Sequence, residues 1–299
     1  MKILRIIFIG IFILMLPIFG FVFVREYTRS DRTLPIITVP EGVLEISVKS
    51  QEADLLTGLT AFDEKDGDLT SGIIIEGISS FASDGSCIVN YAVCDSDSHV
   101  ATATRNVLYK DYTSPRFTLS ESLCFASNKR KKVSSIIGAV DAIDGDISRD
   151  CIISSDDYDS SLTGTFTLNV MVTNDRDETV KCDLPLVVEE RDSLAPEIVL
   201  SDYLIYVDKG TTPDYVSFVK TVTDAKGVEI ENIEISAAEA LSDEDNSVEE
   251  AEATIENGLI EIETDYKSDT EGVYSVHYRY TDEAGRTGHT ILLIIVEGK

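Results

Sequence analysis

One alternation, written three times, narrows the fold of this chain more than any other feature. From Gly272 to Asp282, the apolar Tyr274, Val276, Tyr278 and Tyr280 alternate with Ser275, His277, Arg279 and Thr281. A period of two marks a strand with one face buried and one in water. Gly164 to Asn174 repeats the pattern with Phe166, Leu168, Val170 and Val172, and Gly85 to Asp95 repeats it with Cys87, Val89, Tyr91 and Val93. Asp or Asn closes each run where turn chemistry is needed, and Gly285 supports the last turn. Copies spaced this widely predict independent β-sandwiches in series rather than a stacked solenoid.

The rest of the chain follows the same beat. Pro35, Pro115 and Pro196 are 80 and 81 residues apart, and each follows a short polar linker. A proline there suits a domain's first strand, on an edge that needs no N–H. The boundaries this gives are 1–32 for a leader, then repeats at 33–112, 113–193 and 194–299. Runs such as Leu44–Val48, Ile73–Ile75 and Leu184–Val188 keep the short period, and no segment beyond the leader makes a long amphipathic helix. The signature is all-β.

The leader is different material. Ile6 to Val24 carries no charge over 19 residues, about 28 Å as a helix, close to a hydrocarbon core of about 30 Å. It is expected to be an uncleaved transmembrane helix behind a short inside tail, with Pro17 a tolerated interruption. A cleaved signal peptide is the competing reading, but its apolar region is ordinarily shorter and ends in a small-x-small site, which the stretch Gly20 to Arg25 does not offer. Lys2 and Arg5 precede the span and Arg25, Arg29 and Arg32 follow it, so local charge leaves the orientation open. The chain is expected at the cell membrane, single-pass, with the C-terminal bulk outside the cytoplasm.

A formal net charge of −29 argues against nucleic acid, whose phosphates are met by Lys and Arg. Five cysteines form neither CxxC nor Cys/His zinc spacing. Cys87 and Cys94 share one predicted strand and are too far apart to bond. Cys124 and Cys182 both have inward parity in repeat two. They are either buried free thiols or a bridge.

Repeat three departs from the other two. Gly85 and Gly164 are 79 residues apart, Gly164 and Gly272 are 108 apart. The surplus falls around Ser236 to Asn257, rich in Asp and Glu, and reads as a lengthened hairpin with an acidic tip between Glu229–Ile235 and Leu259–Glu263. A basic run, Asn128 to Lys132, reads as a solvated loop or as a contact for anionic polymer, lipid headgroups or an acidic tip.

The candidate metal ligands are Asp63, Asp66 and Asp68 in repeat one and Asp141, Asp144 and Asp146 in repeat two, each set an Asp-x-x-Asp-Gly-Asp loop. Calcium takes six to eight oxygens, which close carboxylates on a glycine turn could begin to supply, with Asp111 or Asp192 from a linker completing the shell. The other reading needs no ion: aspartates bond turn N–H groups while glycine takes positive φ. Enzyme signatures are absent. His99, His277 and His289 have no ligand or triad neighbour in sequence, His277 faces outward by parity, and no Walker loop, Gly-x-Ser-x-Gly or His-Glu-x-x-His occurs.

With these marks the chain resembles tandem bacterial surface Ig-like repeats, of the group related to hyalin and cadherin-like sandwiches. The resemblance rests on the linker-proline start (Asp192 to Pro196), the Asp-Gly-Asp turns (Asp66 to Thr70, Asp144 to Ser148) and the repeated Gly-to-Asp strand, and covers almost everything from residue 33. It implies an all-β fold, three Ig-like β-sandwich domains in tandem after one N-terminal transmembrane helix. The function expected is a membrane-anchored extracellular stalk or adhesion/binding module, not an enzyme. Its partners would be the membrane through Ile6 to Val24 and a protein or cell-surface polymer. Two alternatives stay open: an accessory subunit of a cell-envelope complex, and a carbohydrate-binding surface protein, the latter weakened by the absence of Trp.

Overall fold

The computed structural model describes residues 2–29, 33–127, 131–155, 162–231, 233–235, 239–240 and 259–298, without the side chains of 2–7, 9, 26–29 and 239–240. The chain divides into two compact units, Met1–Tyr112 and Thr113–Lys299, the second taking in both later repeats.

The first unit opens with the helix α1 (Lys2–Arg29), which contains Pro17. Its side chains Phe8, Leu14, Phe19 and Phe21 are exposed. Among the described residues, no helix is long and apolar enough to cross a membrane. Seven strands follow: β1 (Ile36–Thr38), β2 (Leu44–Ile46), β3 (Thr60–Asp63), β4 (Gly67–Asp68), β5 (Ile74–Ile78), β6 (Ser86–Cys94) and β7 (Val100–Tyr109). They form one sheet in the order β1-β3-β4 and another in the order β2-β7-β6-β5. Ala61, Val89, Tyr91, Val93 and Val107 are buried, and apart from the buried Ala92 the residues beside them are exposed or half-buried, close to the period of two of a strand.

The second unit repeats this plan twice. Its first half holds β8 (Arg116–Leu119), β9 (Cys124–Ala126), β10 (Ile137–Asp141), β11 (Gly145–Asp146), β12 (Ile152–Ser154), β13 (Gly164–Thr173) and β14 (Thr179–Glu189). The sheets run β11-β10-β8 and β12-β13-β14-β9. Its second half holds β15 (Glu197–Leu200), β16 (Leu204–Asp208), β17 (Val219–Thr223), β18 (Glu234–Ile235), β19 (Glu239–Ala240), β20 (Leu259–Thr264), β21 (Gly272–Thr281) and β22 (Thr287–Glu297). Here β15 pairs with β17, and the larger sheet runs β16-β22-β21-β20-β18 with β19 beside β20.

All three repeats share one connection rule. The first strand pairs antiparallel with the third, as in β1–β3, β8–β10 and β15–β17. The chain then crosses to the other sheet, where its second strand lies parallel to the last, as in β2–β7, β9–β14 and β16–β22. The turn after each long strand is also the same. Oδ1 of Asp95, Asn174 and Asp282 accepts the N–H groups two and four residues on, at 2.7–3.0 Å, which fixes the register of the hairpin that follows.

The strand β22 holds the second unit together. Leu292, Ile294 and Val296 point into a core with Ile198, Val222, Ile260 and Tyr278. Ile291 and Leu293, on its opposite face, are fully buried in the other core, among Phe117, Leu168, Leu186 and Val188. A strand covered on both sides has no solvent face to alternate with, hence the unbroken apolar run Ile291–Val296.

One expectation changes, and two readings left open meet the structure. The insertion in repeat three is not entered by a hairpin, because β18 and β19 both pair with β20 in parallel, and parallel neighbours need a crossover; residues 241–258, with the acidic tip, lie outside the described residues. No disulfide joins Cys124 to Cys182, and both thiols are free. Cys124 sits opposite Val187, five residues along β14 from Cys182, about 16 Å at strand rise, beyond a bridge. Of the basic run, 128–130 lie outside the described residues, and Lys131 pairs with Glu121 while its ammonium lies 5.8 Å from the centre of the Phe125 ring.

Candidate functional site

The two Asp-Gly-Asp loops fold alike. Gly67 and Gly145 take φ of +78° and +75°, where glycine is at no steric disadvantage. Asp63 and Asp141 are buried, and their Oδ1 atoms accept two N–H groups each: Lys65 and Asp66 in one loop, Ile143 and Asp144 in the other. Oδ2 of Asp66 accepts Ser96 N–H at 2.8 Å, and Oδ2 of Asp144 accepts Asp175 N–H at 2.9 Å, which ties each loop to the next turn. Asp68 and Asp146 accept the Thr70 and Ser148 N–H groups; bonds from those residues hold both carboxyls below the ordinary aspartate value. Asp111 is engaged by Ser47 and Val48, and Asp192 by Leu194. These eight carboxylates serve as turn acceptors, and among the described residues none of them belongs to a group of three converging ligand atoms.

Convergence occurs elsewhere, at the meeting of the second unit's two halves. Cys124 Sγ, a Glu189 carboxylate oxygen and a ring nitrogen of His289 all lie within 4.8 Å of one another. His289 Nδ1 is 2.7 Å from Glu189 Oε2 and 3.3 Å from Cys124 Sγ. Cys124 begins β9, Glu189 ends β14, and His289 sits near the start of β22, so the rule that lays each second strand beside its last brings the first two together. The two-sided burial of β22 brings the third.

Arg191 clasps the group from outside. Its Nη2 donates to Glu189 Oε1 at 2.6 Å, to the His289 carbonyl at 2.6 Å and to Cys124 Sγ at 3.3 Å. On the far side of the imidazole, His289 Nε2 lies 3.0 Å from His277 Nδ1, and His277 Nε2 lies 3.1 Å from Ser275 Oγ. With Glu189 taking the proton on His289 Nδ1, donation then runs from Ser275 to His277 to His289 to Glu189, a tautomer assignment made from hydrogen-bond partners.

The electrostatics follow from burial and these partners. Burial pushes the Glu189 carboxyl up, but the hydrogen bonds of His289 and Arg191 and the positive charge beside it outweigh that and hold it at about 2. Burial, then the Glu189 charge, pushes the Cys124 thiol up to about 12, so it is protonated at neutral pH. Burial and His289 lower His277 to about 4. A nucleophile needs a thiolate, and a relay needs its base to touch thiol and acid through opposite nitrogens. Here thiol and carboxylate meet the same nitrogen, so this is not a Cys-His-Glu catalytic arrangement.

A cavity of about 350 Å³ reaches this group, lined by Glu121, Cys124, Arg191, Asp192, Glu197 and His289 among others. Sequence reasoning missed the site. A signal for its histidines was present: in the β21–β22 register Arg279 faces His289, which puts His277 and His289 diagonally adjacent on one face. His277 does point away from its own core, but it is half-buried and stacked on His289 rather than facing water.

No protein-family model and no curated protein matches this chain. Among solved structures it is similar to the CBM51-2 and INT domains of Clostridium perfringens ZmpB, in complex with GlcNAc, at 19% identity over 50% of this chain and 26% of that one, TM-score 0.22. It is similar to Drosophila N-cadherin EC1-4 at 14% identity over 80% and 63%, TM-score 0.22, and to human CDH23 EC21-23 at 13% over 88% and 100%, TM-score 0.22. The chain spans 26%, 31%, 51% and 63% of the first four matched chains. At these scores the overlaps carry no argument, and the fold rests on the strand pairing itself.

Proposed function

We propose that this chain is a membrane-held, exported string of Ig-like sandwiches that works as a stalk or adhesion module rather than an enzyme. The uncharged stretch Ile6 to Val24 holds it to the membrane, the bulk lies outside the cytoplasm, and the partner is a protein or a cell-surface polymer. The observation that carries the reading is the shared strand β22, whose residues Ile291 and Leu293 complete one core while Leu292, Ile294 and Val296 complete the other. Interfaces of this kind turn two beads into one stiff rod segment, because packed apolar cores resist deformation. Stiffness is what a spacer or adhesive arm requires.

The test uses the full chain in cells. It should remain with membranes through an alkaline carbonate wash, dissolve in detergent, and lose its C-terminal part to protease added outside intact cells. Recovery from the soluble fraction, or protection from external protease, overturns the placement. Cells displaying the chain should resist detachment under flow better than cells lacking it, and equal detachment overturns the adhesive role.

A further inference from the structure

We infer that Cys124, Glu189 and His289 form a binding site for one thiophilic divalent cation of the zinc class. Three donors of different chemistry, a sulfur, an imidazole nitrogen and a carboxylate oxygen, gather around one point, and sulfur and oxygen both approach the same nitrogen, Nδ1 of His289. One proton now occupies the place where three lone pairs meet. A cation in its place would engage all three, and this mixed donor set is one that zinc accepts in four-coordinate sites. Opening the oxygen-to-nitrogen separation from 2.7 Å to the spacing of two ligands on one ion takes a side-chain adjustment of about half an ångström.

The surroundings match the second shell of a metal centre. A ligating histidine is ordinarily held through its other nitrogen, and His289 Nε2 is held by His277, itself braced by Ser275. Arg191 occupies Oε1 and one side of the sulfur, leaving Oε2 and the rest of the sulfur directed at Nδ1. Its positive charge opposes a cation, but two anionic ligands outnumber it. The cavity beside Cys124 and His289, lined by Glu121, Asp192 and Glu197 as well as by Lys131 and Arg191, gives an entry path and room for water at the fourth position. On loading, the thiol proton leaves to solvent and the imidazole stays neutral by carrying its proton on Nε2. His277 Nδ1 then accepts that proton's hydrogen bond, while His277 Nε2–H donates to Ser275 Oγ.

The experiment is cobalt(II) and zinc(II) titration of the full chain in detergent, stripped with chelator and kept reduced. Expected is a thiolate-to-cobalt charge-transfer band that saturates at one equivalent and bleaches with zinc. Cys124→Ser should lose the band while the exposed-thiol control Cys94→Ser keeps it, and His277→Gln should weaken binding about tenfold. Zinc X-ray absorption on the unsubstituted chain needs no variant: it should show one sulfur at about 2.3 Å and lighter ligands near about 2.0 Å. No band, a band unchanged by Cys124→Ser, or bound zinc without a sulfur neighbour each overturns the site.

Discussion

The backbone N–H of Phe117 donates to the hydroxyl oxygen of Tyr206 at 2.7 Å, a bond from the first half of the second unit to the second. Phe117 lies on β8, the edge of its sheet, and an edge strand leaves N–H groups without a ladder partner. Tyr206 supplies one, while Arg116 stacks on its ring at 4.8 Å and pairs with Glu297. Tyr206→Phe keeps the ring and removes only the acceptor, so the second unit should lose about 1 kcal/mol in urea unfolding. An unchanged midpoint would mean that water replaces the hydroxyl.

Asp141 is the buried hub of its loop. Oδ1 takes the Ile143 and Asp144 N–H groups at 2.7 and 2.9 Å, and Oδ2 takes Asn174 Nδ2 at 3.1 Å. Asp141→Ala should cost about 3 kcal/mol, since it strands three donors of a charged acceptor. Asp141→Asn should cost less but not nothing, because its amide would face the Asn174 amide donor while Asn174 Oδ1 is held by Arg176 and Glu178. With these carboxylates occupied by turn N–H groups, millimolar calcium should leave the melting temperature unchanged in a thermal scan, and a clear rise would show that the loops open to an ion.

A pH dependence attaches to Asp282. Bonds from the Arg286 side chain and backbone hold its carboxyl below the ordinary 3.8, so the folded state binds its proton later than the unfolded one. The contribution to stability is therefore present above about pH 4 and lost as pH falls through the lowered value. Asp282→Asn keeps the acceptor for Ala284 and Arg286 but removes the charge. It should be less stable than the parent at neutral pH, and the gap between the two should narrow as the pH falls below the ordinary carboxyl value, read from urea midpoints along the series.

Gly288 tests how closely β15 and β22 approach. A Cβ there would lie 2.1 Å from the carbonyl oxygen of Pro196, a backbone atom that cannot swing aside. Gly288→Ala should destabilise the second unit by about 2 kcal/mol, measurable as a fall in its denaturation midpoint.

Much of the fold is legible in the chain because strand alternation is local. Gly85, Gly164 and Gly272 mark three long strands that the structure pairs in one way, each with the strand that follows it. Asp95, Asn174 and Asp282 mark their turns, and the Asp-Gly-Asp loops bond as turn chemistry allows. What escaped depends on neighbours far along the chain. Nothing beside Cys124 announces that β9 will lie parallel to β14, or that His289 will approach from a strand more than a hundred residues later. One clue was readable: Ile291 to Val296 is apolar without a break, where Val100 to Tyr109 alternates, and unbroken runs belong to strands buried on both faces. The insertion of repeat three misleads for the opposite reason, since two strands around a polar excursion look like a hairpin whichever way they pair.

The double engagement of β22 also sets a timetable for biogenesis. A chain emerging from the ribosome at about 5–20 residues per second completes its earlier domains first when each is self-contained. The first unit can mature in that manner. The sandwich begun at Phe117 cannot, because two of its fully buried residues, Ile291 and Leu293, are delivered only after the whole of the following sandwich has been made. During that interval an unfinished apolar face is exposed, and a chaperone is the natural guardian for it.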